Sequence, residues 1–182
     1  MNWNRSFRPM TARLVLAMAA ATWCAAIVAP PLMHAVGLHA PAIVLRAMFA
    51  PLCHQMTTRS FLIGGEPMAV CARCTGACAG FLLGSLGLVV CAGADRNRNG
   101  HGHRVPSAAL LVLAALPSAL DVFVERSGLQ SANSISRALT ASVFGAVCVL
   151  YVLPAIEELP AEAVGEIRRI KRLVRRPDAG TS

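Results

Sequence analysis

Residues 71 to 94 read CARCTGACAGFLLGSLGLVVCAGA, and the larger part decides the fold: from Thr75 to Ala94 there are 20 residues without an Asp, Glu, Lys or Arg. About 20 mostly apolar residues cross the hydrocarbon core of a bilayer as a helix. Working outward, three more stretches lack those charges: residues 14 to 45 (32 residues), 105 to 120 (16) and 138 to 156 (19). Only 14% of the 182 residues are charged and 55% are hydrophobic, whereas a soluble domain carries about 25% charge. An all-α, polytopic membrane protein with about four transmembrane helices follows. Disorder, a coiled coil and an ordinary water-soluble enzyme are excluded.

The spans predicted are 14–34, 69–94, 106–124 and 135–156, so both termini fall on one side. Twelve of the 17 basic residues also share that side: Arg5, Arg8 and Arg13, then Arg96, Arg98 and Arg104, then Arg168, Arg169, Lys171, Arg172, Arg175 and Arg176. Arg46, Arg59, Arg73, Arg126 and Arg137 fall on the other. The positive-inside rule therefore predicts a cell (inner) membrane protein with cytoplasmic termini. A cleaved signal peptide over residues 1 to 40 is disfavoured, because the apolar run exceeds the 7 to 15 residues of a usual h-region. Cleavage would also leave three spans and place the C-terminal basic cluster outside.

Residues 1–156 read as a single transmembrane domain. Within it, residues 40–52 carry Arg46 and suit a helix lying in the outer interface. Residues 157–182 form a basic tail in which Val164, Ile167, Ile170, Leu173 and Val174 alternate with basic residues, the pattern of an amphipathic cytoplasmic helix on anionic lipid. No nucleic-acid recognition pattern accompanies this cluster, and topology accounts for the net charge of +8. The expected partner is the lipid bilayer. Ala72, Gly76, Gly80 and Gly84 recur at every fourth position and invite a close helix contact, either within the chain or in a homo-oligomer.

Polar chemistry gathers on the outer side. The first outer loop holds Cys53-His54-Gln55, then Arg59-Ser60-Phe61, and closes with Cys71-Ala72-Arg73-Cys74. A helix already formed at Cys71 would put Cys71, Cys74 and Cys78 on one face. Asp121 near the outer end of the third span needs a partner in a membrane, and Arg137 or Arg126 is the expected one.

The pattern Cys-His-Gln, Arg-Ser-Phe, a glycine, then Cys-Ala-Arg-Cys-Thr-Gly entering a span, followed by Pro117, Asp121, Asn133 and Arg137, resembles the prokaryotic membrane proteins grouped as domain of unknown function 2085. The resemblance covers about residues 45–150. It implies a small polytopic protein with Cys53, His54, Arg59, Ser60, Cys71, Arg73, Cys74, Asp121 and Arg137 on the family's motif positions. It implies no particular activity. Cys78 departs from the pattern, standing where an aromatic is expected.

Three chemistries suit these residues. Cys53, His54, Cys71 and Cys74 supply the sulfur and nitrogen set that zinc or another transition metal accepts. If one of the adjacent pair Cys53 and His54 is not a ligand, a coordination position opens to water or substrate. Alternatively, the Cys-x-x-Cys beside Arg73 has the ingredients of an acidic thiol, and a thiol-disulfide oxidoreductase passing electrons to a quinone has a similar layout. Finally, Arg59, Arg73 and Arg137 with Ser60 would suit an anionic lipid or phosphate headgroup, with Asp121 orienting an arginine. The bland alternative is a static disulfide from Cys53 to Cys71 or Cys74.

Other motifs fail. Asp95 to Asn99 begins like a calcium loop, but Pro106 stands where its last carboxylate is required. His101 and His103 read as a solvated loop on the opposite side. Cys24, Cys91 and Cys148 read as small apolar residues, and His34 and His39 as interfacial ones. No Ser-His-Asp order, glycine-rich phosphate loop or paired carboxylates occur.

Overall fold

The computed structural model describes the backbone of residues 3–94, 106–128 and 133–174, and side chains within 10–91, 106–128 and 133–156. Five helices dominate: α1 (Trp3–Ala35), α2 (His39–Met48), α3 (Ala72–Ala94), α4 (Ala108–Arg126) and α5 (Ser134–Val174). Four segments are long and apolar enough to cross a membrane: Met10–Ala35, Ala72–Cys91, Ala108–Arg126 and Ser134–Ile156. Large apolar side chains such as Met18, Leu83, Val90, Phe123 and Leu139 point outward, as expected where the surrounding solvent is lipid.

The lateral order is α1, α3, α5, α4, with α3 on α5 as the most extensive contact. Glycine makes that contact. A Cβ at Gly76 or Gly80 would fall on the backbone carbonyl of Ala138 or Ser142, and one at Gly145 on that of Ala77. The small-residue ladder is therefore taken up within the chain by α5, where the sequence also allowed a homo-oligomer. At the far end of α4, the Tyr151 hydroxyl donates to the Ser107 carbonyl at 2.9 Å and holds α4 against α5.

Between α1 and α3 the chain folds back on itself. Gly37, with φ at +80°, turns it from α1 into α2. After a 3-10 turn at Thr57–Arg59, two short strands, β1 (Leu62–Ile63) and β2 (Glu66–Pro67), pair antiparallel with Ile63 opposite Glu66. Gly64 and Gly65 connect them with φ of 61° and 86°, the signature of a tight hairpin turn of the primed kind. The hairpin lies against α1: Ile27, Phe49, Cys53, Met68, Ala69 and Val70 form one buried cluster, and Trp23 meets Phe49 edge-on at 5.3 Å.

One boundary differs from the sequence expectation. The second span begins at Ala72 rather than Ala69, because the Ala69 N–H donates to the Ile27 carbonyl and the Met68 N–H to the Phe61 carbonyl. Those residues are committed to tertiary pairing before a helix can claim them. Helix α1 runs through Pro30 and Pro31 to Ala35, within one residue of the expected end, and α5 continues through Pro160 to Val174 without a break after the span Ser134–Ile156. Arg96, Arg98, Arg104, the rejected calcium-like loop, His101, His103, Arg175 and Arg176 lie outside the described residues.

Candidate metal centre and arginine cluster

The loop after α2 delivers Cys53 to the start of α3. Gln55 takes a left-handed backbone conformation, φ 50°, and its amide donates to the Arg46 carbonyl at 2.5 Å while Arg46 donates back to the Gln55 carbonyl at 3.5 Å. This latch fixes the chain so that Cys53 is buried and its neighbour His54 is exposed. The Cys71 N–H donates to the Cys53 sulfur at 3.2 Å, and the sulfurs of Cys71 and Cys74 lie 3.6 Å apart. The sulfurs of Cys53, Cys71 and Cys74 all fall within 4.8 Å of one another, and all three thiols are free.

Cys71 is not inside the helix but caps it. Its carbonyl accepts the Thr75 N–H at 2.9 Å, so Arg73 and Cys74 occupy the second and third helical positions, whose N–H groups an N-cap side chain satisfies. Hydrogen bonding with the Cys74 side chain, then with the Cys74 N–H, the Cys53 thiol and the Arg73 N–H, outweighs burial and holds the Cys71 thiol down to about 5. The positive end of the α3 dipole favours the same anion. Cys78 lines the same core but is not part of the three-sulfur group.

His54 does not join the thiols. His34 and His39 face each other, their Nδ1 atoms 2.9 Å apart, and neither joins them. Among the described residues the metal-capable group consists of the three cysteines alone.

A second polar cluster lies at the same end of the bundle. Arg73, between Cys71 and Cys74, turns toward α4 and donates through Nη2 to Asp121 Oδ2 at 3.0 Å and Glu125 Oε2 at 2.9 Å. Asp121 and Glu125 are four residues apart, on one face of α4. Asp121 also accepts the Ser136 hydroxyl at 2.8 Å. Arg137 donates to Glu125 twice, Nε to Oε2 at 3.1 Å and Nη2 to Oε1 at 2.5 Å. Arg59 approaches Glu125 Oε1 at 3.4 Å from the loop. Asn133 positions this part of α5, its side-chain oxygen accepting the Ile135 N–H at 3.0 Å as an N-cap.

The expected pairing of Asp121 with Arg137 or Arg126 is thus replaced. Asp121 pairs with Arg73, Arg137 pairs with Glu125, and Arg126 is exposed outside the cluster. Ser60 stays apart from the arginines: it is buried, and its hydroxyl donates to the Met56 carbonyl at 2.9 Å to close the 3-10 turn. Glu125, the hub of the cluster, was not singled out from the sequence. Its spacing of four from Asp121 was the available signal, masked by its place beside Arg126 at the end of the apolar run.

Four candidate spans with a polar, sulfur-bearing end define a polytopic helical membrane protein. The family model described as a predicted membrane protein, DUF2085, matches residues 53–151, and the chain belongs to that family. The matched stretch runs from the first thiol of the cluster to within α5 and contains both clusters. A protein of Methanocaldococcus jannaschii, itself described as uncharacterized, is 34% identical over 118 residues, which cover 65% of this chain and 72% of that protein. No solved structure matches.

Proposed function

We propose that Cys53, Cys71 and Cys74 hold a transition-metal ion, with zinc the ion their donor set fits best, at the outer face of the cell membrane. The observation that carries this reading is the convergence of three free thiols, from two separated segments, within 4.8 Å. Zinc–sulfur bonds of about 2.3 Å in a tetrahedral site require sulfurs about 3.8 Å apart, and Cys71 and Cys74 stand at 3.6 Å. The acidified Cys71 supports it too, since the thiolate is the form that binds.

Three ligands leave the fourth tetrahedral position to water or to a substrate atom, the arrangement of reactive rather than purely structural zinc. With His54 exposed, the centre is read as three thiolates without the imidazole that the sequence also offered. The outer placement and the cytoplasmic termini rest on the basic-residue bias.

A second reading, thiol-disulfide exchange, is favoured by the proximity and acidity of Cys71. Its thiolate would attack a partner's disulfide, and Cys74 would resolve the mixed disulfide, leaving the partner as a dithiol and Cys71–Cys74 oxidised. A membrane quinol would then return two electrons and two protons to the Cys71–Cys74 disulfide, regenerating the dithiol and leaving as quinone.

Elemental analysis and thiol counting on anaerobically purified protein in detergent separate the two. Near-stoichiometric metal in the wild type, lost in Cys71→Ser and Cys74→Ser, is the expected result. Metal-free wild type with a reducible Cys71–Cys74 disulfide would overturn the metal reading in favour of exchange.

A further inference from the structure

Three guanidiniums converge on one carboxylate where α3, α4, α5 and the outer loop meet, and the carboxylate matches them poorly. Glu125 offers two oxygens to the forks of Arg59, Arg73 and Arg137, each of which carries five N–H donors. The mismatch is visible in the donors left over. Arg73 reaches both Asp121 and Glu125 through the same Nη2, while its Nε is buried without a hydrogen-bond partner. Arg59 comes no closer than 3.4 Å. Three positive charges face two negative ones.

An anion with three or four oxygens and two charges fits this set better than a carboxylate does, because planar guanidinium forks grip phosphate oxygens in pairs. We propose that Arg59, Arg73 and Arg137 form a receptor for a phosphate group, and that Glu125 fills it from within as a stand-in which the phosphate displaces. Exposure grades along the site: the Arg137 side chain is 3% exposed, Arg73 24% and Arg59 46%. Arg137 is the floor and Arg59 the mouth. The Ser136–Asp121–Arg73 chain of contacts does not depend on Glu125, so Arg73 stays in place when Glu125 swings out. The phosphate of a lipid headgroup and free phosphate would use the same contacts. This inference stands independently of the metal centre.

The test uses the full chain in neutral detergent, with metal content recorded for every sample. Inorganic phosphate is titrated against chloride at constant ionic strength, and binding is read by calorimetry. Saturable phosphate binding is expected, weakened about tenfold by Arg59→Gln and strengthened about tenfold by Glu125→Gln, as the loss or removal of one charge contact or competitor implies. If Glu125→Gln fails to fold, Glu125→Asp, which withdraws the carboxylate by one methylene, is expected to strengthen binding in the same direction.

Nanodiscs of phosphatidylcholine with and without phosphatidic acid identify the source. Suppression of the phosphate titration by phosphatidic acid assigns a lipid headgroup, and an unchanged titration assigns a soluble phosphate. Chloride-like behaviour of phosphate in both wild type and the Glu125 variant, or weakening by the Glu125 variant as by Arg59→Gln, would overturn the proposal and leave the cluster a structural brace. Loss of metal with phosphate binding retained would count against the metal reading only.

Discussion

Arg137 grips Glu125 side-on, with Nε 3.1 Å from Oε2 and Nη2 2.5 Å from Oε1, and so ties the last turn of α4 to the first turn of α5. The Arg137 side chain is almost fully enclosed. This pair organises the polar end of the bundle because it is the point where Arg59 and Arg73 also meet α4.

Breaking that pair has an asymmetric cost. Glu125→Leu strands the buried Arg137 cation and is expected to cost about 3 kcal/mol. Arg137→Met is expected to cost less, since Glu125 keeps Arg59 and Arg73. Thermal unfolding in detergent checks this, and the double variant should be more stable than Glu125→Leu alone.

The α3–α5 contact tolerates no side chain at its closest points. Gly80→Ala places a Cβ on the Ser142 carbonyl, and overpacking of this kind costs about 1 to 3 kcal/mol. Gly87 has nothing within 4 Å of a Cβ, and Gly87→Ala is expected to leave stability unchanged or raise it. Unfolding midpoints of the two variants decide the matter.

Cys71 should react as a thiolate in acid. With its thiol held to about 5 in the metal-free protein, its alkylation by iodoacetamide is expected to rise from pH 4 to about pH 6 and then level off. Peptide mass spectrometry after timed labelling measures it; a rate that keeps climbing through pH 8 would contradict the assignment. The same depression has a stability consequence with a definite sign. A thiol whose folded value lies below its ordinary 9.0 contributes fully above about pH 9, and that contribution is lost as the pH falls toward 5.

The three-sulfur centre makes a clean prediction about its neighbours. Cys53→Ser is expected to remove the metal, while His54→Ala and Cys148→Ser retain it at the wild-type ratio, as elemental analysis would show. Loss of metal in His54→Ala would return the histidine to the ligand set.

The α3 stretch from Thr75 to Ala94 announced a membrane helix by itself, because a bilayer accepts long charge-free segments only as structures that satisfy their own backbone. The glycine ladder likewise announced a close helix contact, and the cysteines at 53, 71 and 74 a concentration of thiols. These are properties of composition and period, and they survive any arrangement of the chain. What faces what is different. The same glycine stripe serves a neighbouring helix or a second copy, and only the packed bundle assigns it to Ala138 and Ser142 on α5. Cys53 and His54 are adjacent in the chain, yet the Gln55 turn and its latch to Arg46 send one inward and the other out. Asp121 could have paired with any arginine at its end of the membrane, and Glu125 looked like an ordinary helix end. The choice among those partners was made by the tertiary structure, because ion-pair geometry depends on distances between helices that no spacing along a single helix encodes.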